Sequence, residues 1–158
     1  MHVVILTAIV VAVFTFLMLR RWRSAKQEAM PDNRSSYEAF VNADEFDEMV
    51  LKTSHKTPVM VDFYAEWCGP CRVLTPLLAG FADDYQGAFL LAKVDVDKNQ
   101  QLMHRFDIRA MPTVLLFRDG ECVERFTGAK LPHSIRYILT KNGIHEPKVT
   151  PSREDAQE

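Results

Sequence analysis

Cysteine is scarce in this chain: three in 158 residues, at positions 68, 71 and 122. A small secreted domain held by disulfides carries more, usually an even number, so stapling does not explain the fold. Charge of one sign is also missing. Nineteen Lys and Arg face 21 Asp and Glu for a net −2, which gives no pull toward nucleic acid. The five histidines show no paired spacing. A zinc site would therefore need two more ligands beside Cys68 and Cys71, with Cys122 as one candidate and a scattered histidine as the other. No internal repeat or low-complexity tract occurs. What remains is an ordinary globular composition, 47% hydrophobic and 25% charged, enough for roughly one domain.

The longest apolar run is at the start. Val3 to Leu19 is seventeen residues without a charge, broken only by Thr7 and Thr15. As a helix it would reach roughly 25 Å at ~1.5 Å per residue. That is a short span for a hydrocarbon core of about 30 Å, with Arg20, Arg21 and Trp22 placed to cover the shortfall. A cleaved signal peptide wants a positive start and a shorter apolar core, and a core helix of a small domain is rarely apolar on every face. The run therefore predicts a single transmembrane anchor over residues 1–22. Arg20, Arg21, Arg23 and Lys26 follow it, and positive flanks stay on the cytoplasmic side. The folded domain is accordingly expected in the cytoplasm, tethered by a polar linker over 23–36. Past Gly143, residues 144–158 hold Pro147, Pro151 and many charges, the composition of a flexible tail.

Between linker and tail, residues 37–143 read as one α/β domain. Tyr37–Val41 fits an edge strand. Asn42 with Glu45 three residues on is a capping-box start for a helix to about Thr53. Pro58 to Tyr64 reads as a strand apolar on both alternating faces, apart from Asp62, as a central strand covered on both sides would be. A helix from about Pro70 to Tyr85 contains Pro76. Phe89–Val96 is a further strand and Asn99–Phe106 a short helix. Thr113–Phe117 and Cys122–Thr127 flank Asp119-Gly120, a strong hairpin signal. The last helix starts near Pro132 and stops at Asn142-Gly143. The order predicts a mixed central sheet with helices on both faces.

Cys68-Gly69-Pro70-Cys71 falls between a buried strand and a helix start. Two residues between cysteines close no useful loop, so the pair points to chemistry. At a helix N-terminus, unpaired backbone N–H groups and the positive dipole end favour thiolate over thiol. A thiolate at Cys68 would attack a substrate disulfide, and Cys71, one helical turn on, would resolve the mixed disulfide.

The segment Val61-Asp-Phe-Tyr-Ala-Glu-Trp-Cys-Gly-Pro-Cys-Arg72 resembles the active-site stretch of the thioredoxin family. So do Pro76, Lys93 within Ala92-Lys-Val-Asp95, Met111-Pro112-Thr113 and Gly128. The likeness runs from about Tyr37 to Gly143. It implies the thioredoxin fold, a protein-disulfide reductase activity without a cofactor, protein disulfides as substrates, and a thioredoxin reductase or other dithiol donor as partner. By the same resemblance, Asp62 is an acid/base aid to Cys71, with Lys93 nearby to tune it. Without it, Asp62 would read as a satisfied buried aspartate and Lys93 as structural. The resemblance also implies a cis bond before Pro112 and a substrate-docking surface of Trp67, Gly69, Pro70, Met111, Pro112 and Gly128. Tyr64 and Arg72 stand where the family often has tryptophan and lysine. Cys122 is extra and is expected to be a small buried hydrophobe. Other readings are an extracytoplasmic thiol–disulfide oxidoreductase for secreted or haem proteins, a glutathione-linked enzyme, and a redox-inert binding module.

Overall fold

The computed structural model describes residues 37–147. The expected anchor and linker lie outside the described residues, as does the tail from 148 onward. Among the described residues no helix is long and apolar enough to cross a membrane.

Five strands form one mixed sheet: β1 (Glu38–Phe40), β2 (Val59–Tyr64), β3 (Leu90–Asp95), β4 (Thr113–Arg118) and β5 (Glu121–Thr127), in the order β1-β3-β2-β4-β5. β3 runs parallel to both β1 and β2, whereas β2–β4 and β4–β5 are antiparallel. Three helices follow the expected positions: α1 (Cys71–Asp84), α2 (Gln100–Arg105) and α3 (Pro132–Lys141). Pro132 at the first turn of α3 lacks only an N–H that would have no helical partner.

The central strands split their side chains between two cores. Val59, Val61 and Phe63 join Phe46, Val50, Leu102, Leu115 and Phe117 on one face. Met60 joins Leu74, Leu78, Phe81, Ile135 and Leu139 on the other, under α1 and α3. The first core contains a cluster of phenylalanine rings among aliphatic side chains. The rings of Phe46 and Phe106 lie 4.9 Å apart, and Phe106 and Phe117 5.5 Å apart. Such pairs add about 0.5–1.5 kcal/mol each beyond the area they bury. Alternation along β2 decides which side chain faces α1, and it puts Asp62 there.

The segment after β1 is not the regular helix that the capping box predicts. Half of the box forms, the Asn42 N–H donating to Glu45 Oε2 at 3.3 Å. The chain then winds as a π-helix over Asp47–Lys52 and a 3₁₀ turn over Thr53–His55. Hydroxyls compete for its carbonyls: Thr53 Oγ1 donates to Glu48 O and Ser54 Oγ to Leu51 O. Ser54 is buried because the β4–β5 turn holds it. The Asp119 N–H donates to Ser54 O and the Gly120 N–H to Ser54 Oγ, at 3.0 and 2.8 Å. Both Asp119 and Gly120 have positive φ, 54° and 80°, as a two-residue hairpin turn of the favoured hand requires. The winding of one segment is thus set by a turn more than sixty residues away.

Two further departures concern the ends of the domain. Cys122 is exposed, not buried, because it lies on β5, an edge strand whose residues are mostly open to solvent. Its Sγ–H reaches the Glu124 carbonyl at 3.4 Å. Partial burial of the sulfur pushes its thiol pKa up. The packed chain also continues past Gly143: Ile144 is buried in the α1/α3 core, and Glu146 pairs with Arg136.

Candidate active site

Cys68 and Cys71 are joined by a disulfide, with Cα atoms 5.3 Å apart. The chain leaves β2 at Tyr64 and turns, the Cys68 N–H donating to Ala65 O at 3.1 Å. It enters α1 with Cys71 as the first helical residue. Pro70 stands at the N-cap of α1 and offers no side-chain acceptor to the first N–H groups. One of these orphan donors points at the reactive sulfur: the Cys71 N–H donates to Cys68 Sγ at 3.2 Å. Negative charge on Cys68 is therefore met by a fixed backbone dipole at the positive end of a 14-residue helix. The two sulfurs sit low in the surface, at 4% exposure for Cys68 and 2% for Cys71. Gly69 and Pro70 beside them are exposed.

Asp62 is wholly buried on β2, under α1. Its Oδ2 accepts a hydrogen bond from Thr75 Oγ1 at 2.6 Å. Its Oδ1 is buried and meets no hydrogen-bond donor among the described residues. Burial raises its pKa to about 6, against the opposing pull of the Thr75 hydroxyl and of the more distant Lys93 ammonium. Thr75 lies four residues after Cys71, so both occupy one face of α1 about one turn apart. The carboxyl is thus held against α1 at the turn that follows Cys71.

Lys93 stands beside Asp62 in the β2–β3 register. Its ammonium closes an ion pair with Glu38 Oε2 on β1 at 2.9 Å, and both side chains are largely buried. It also lies 4.3 Å from the centre of the Phe40 ring. Glu38 was not singled out by sequence, and neither was Thr75. Thr75 had a readable signal, its spacing from Cys71 on the helix. Glu38 had none, because only the pairing of β1 with β3 brings it near.

Of the expected docking residues, Trp67 and Met111 line a groove of about 540 Å³ together with Ile108, Met103, Asp97 and Arg109, whereas Gly69, Pro70, Pro112 and Gly128 are not part of its lining. Trp67 is 65% exposed, and its orientation is fixed by Nε1–H donating to Asp97 Oδ2 at 2.9 Å. Met111 packs against the core that contains both cysteines. The Met111–Pro112 bond is cis. Pro112 is buried, and its carbonyl accepts the Gly128 N–H at 2.8 Å. Gly128 holds φ +81° with open space beside its Cα, so a glycine is favoured there by the backbone angle and not by crowding. Thr113 ties the same corner, its Oγ1 lying 2.7 Å from Ala110 O and 3.1 Å from Thr127 Oγ1. A groove of mixed apolar and charged lining, with Trp67 at its lip, therefore opens next to the turn that carries the paired sulfurs, and a buried carboxyl lies under the helix that Cys71 begins. Such a constellation can exchange thiols for disulfides in an extended peptide laid along it.

Comparison with known proteins agrees with this geometry. The family model described as thioredoxin matches residues 38–141. The thioredoxin of Pseudomonas aeruginosa is 38% identical over 97 residues, covering 61% of this chain and 88% of its own length. That of Acidithiobacillus ferridurans is 42% identical over 90 residues, 57% of this chain and 82% of its own length. The mitochondrial thioredoxin of Mus musculus is 37% identical over 97 residues, 61% of this chain and 57% of its own length. With the sheet order, the helix-seated cysteine pair and these matches together, the chain belongs to the thioredoxin family of protein-disulfide oxidoreductases.

Proposed function

We propose that the protein is a membrane-tethered thioredoxin that works mainly as a disulfide reductase, with Cys68 as nucleophile and Cys71 as resolving thiol. The observation that carries the reading is the Cys71 N–H aimed at Cys68 Sγ, with a buried carboxyl bonded to Thr75 on the helix that Cys71 begins. The Cys68 thiolate attacks one sulfur of a substrate disulfide. A bond forms between Cys68 Sγ and that sulfur, the substrate S–S bond breaks, and the other substrate sulfur leaves as a thiolate. Asp62 then accepts the Cys71 proton. The new thiolate attacks Cys68 Sγ, closes the Cys68–Cys71 disulfide and expels the second substrate sulfur. Protonation of the two released sulfurs, one of them from Asp62, completes the reduction. Two electrons have passed from protein to substrate, and a dithiol donor such as thioredoxin reductase restores the pair.

The tether rests on the apolar run Val3–Leu19 and the cations after it, which favour a cytoplasmic domain. A reporter fused to the C-terminus of the full chain is expected to be active only in its cytoplasmic form. Activity only on the far side would move the domain to an oxidising compartment, where a role in maturing secreted or haem proteins would replace this one. Acceleration of insulin precipitation by dithiothreitol tests the chemistry itself. No acceleration would leave only a binding module.

A further inference from the structure

We propose that Thr75 is a positioning residue of the exchange reaction: its hydroxyl anchors one oxygen of the buried Asp62 carboxyl so that the other is presented to Cys71. The inference rests on the reading of Asp62 as proton acceptor. Asp62 Oδ2 takes the Thr75 hydroxyl at 2.6 Å, while Oδ1 stays buried without a donor among the described residues. The groups around the carboxyl leave few choices. From α1 comes Thr75, with Cys71 one turn before it on the same helix face, from β3 comes Lys93, and two residues along β2 stands Tyr64. β4 offers Val114, which does not titrate. Lys93 is engaged by Glu38 of β1, and Tyr64 reaches the surface and is only half-buried. On the α1 side, the acidic proton next in line is that of Cys71, one turn before Thr75.

The arrangement has a purpose that packing alone does not supply. A free carboxyl rotates about its Cβ–Cγ bond, and a buried one would offer its oxygens interchangeably. A hydroxyl on one oxygen fixes the plane and stabilises the ionised form, the form able to accept a proton. When Cys71 gives up its proton, Oδ1 takes it while Oδ2 keeps the Thr75 hydrogen bond. When the expelled sulfur is protonated, Oδ1 returns it. The hydroxyl neither gains nor loses a proton over the cycle.

The test uses the full chain in detergent, with ¹³C-labelled aspartate to follow the Asp62 carboxyl by NMR and insulin as disulfide substrate. Thr75→Val keeps the shape and removes the hydroxyl. It is expected to raise the Asp62 midpoint by about one pH unit, the effect of losing one hydrogen bond to a charged group. The acid limb of the rate profile should move with it, a loss of about fivefold at pH 6. Thr75→Ser keeps the hydroxyl and removes a methyl group, and should restore both. If the valine variant leaves the midpoint in place, or if the serine variant shifts it as far as valine does, Thr75 only packs and the proposal is overturned. If the midpoint moves but neither the valine variant nor Asp62→Asn alters the rate profile, the proton-acceptor role of Asp62 fails, and the positioning role fails with it. Asp62→Asn, run alongside, separates the two failures: a profile altered by asparagine but not by valine faults Thr75 alone.

Discussion

Serine in place of Cys71 should leave the protein covalently loaded with its substrates. The first attack is intact in this variant, because Cys68 keeps its place before α1 and the backbone N–H of residue 71 still points at its sulfur. The second attack is lost, because a serine hydroxyl is far less acidic than a thiol and does not displace sulfur. Mixed disulfides then persist until an outside thiol removes them. Non-reducing gels should show substrate adducts that vanish on adding dithiothreitol, and insulin reduction should fall to background. Cys68→Ser should lose activity equally but form no such adducts. Adducts on Cys68→Ser and none on Cys71→Ser would reverse the two roles.

The second large effect is on stability and has a definite sign. Burial raises the Asp62 pKa from an ordinary 3.8 to about 6 in the folded chain. Between those values the folded state holds a proton that the unfolded state has released. Stability is therefore undiminished by this group below about pH 4 and falls as pH rises through 6. Above that, the ionised buried carboxylate costs about 3 kcal/mol, from a shift near two pH units at ~1.4 kcal/mol each. Asp62→Asn removes the charge and keeps an oxygen that can accept the Thr75 hydroxyl. Urea denaturation of the oxidised protein should show the variant stabilised by roughly 2–3 kcal/mol at pH 8, with the gain gone near pH 4. An equal gain at both pH values would mean that the benefit comes from packing and not from charge. A carboxyl that weakens the fold at neutral pH is what a proton-transfer role would require, since nothing in the surrounding core needs it.

Much of this arrangement could be read along the chain. β2 announced itself by apolar residues on both faces, the hairpin by Asp119-Gly120, and α3 by Pro132 and the Asn142-Gly143 stop. The cysteine pair declared its chemistry through its seat between a buried strand and a helix start. What escaped were features decided by distant neighbours. Ser54 is drawn into the β4–β5 turn and distorts the segment that a capping box had marked as an ordinary helix. Glu38 reaches Lys93 only once β1 has paired with β3. A free cysteine in a strand is most often buried, yet Cys122 is exposed because β5 ends up at the sheet margin. Asp97 fixes the Trp67 ring from thirty positions away. Local pattern gave the elements and the reactive pair. Register between strands gave the groups that tune the pair.

The marginal placement of Cys122 has a practical corollary. Of the chain's three sulfhydryl positions, two are closed on one another and the third stands open to reagents. A maleimide should add once to the oxidised form and three times to the unfolded, reduced form, so intact mass alone reports the redox state. The single constant addition serves as an internal standard, carried by the molecule at a point remote from its own chemistry.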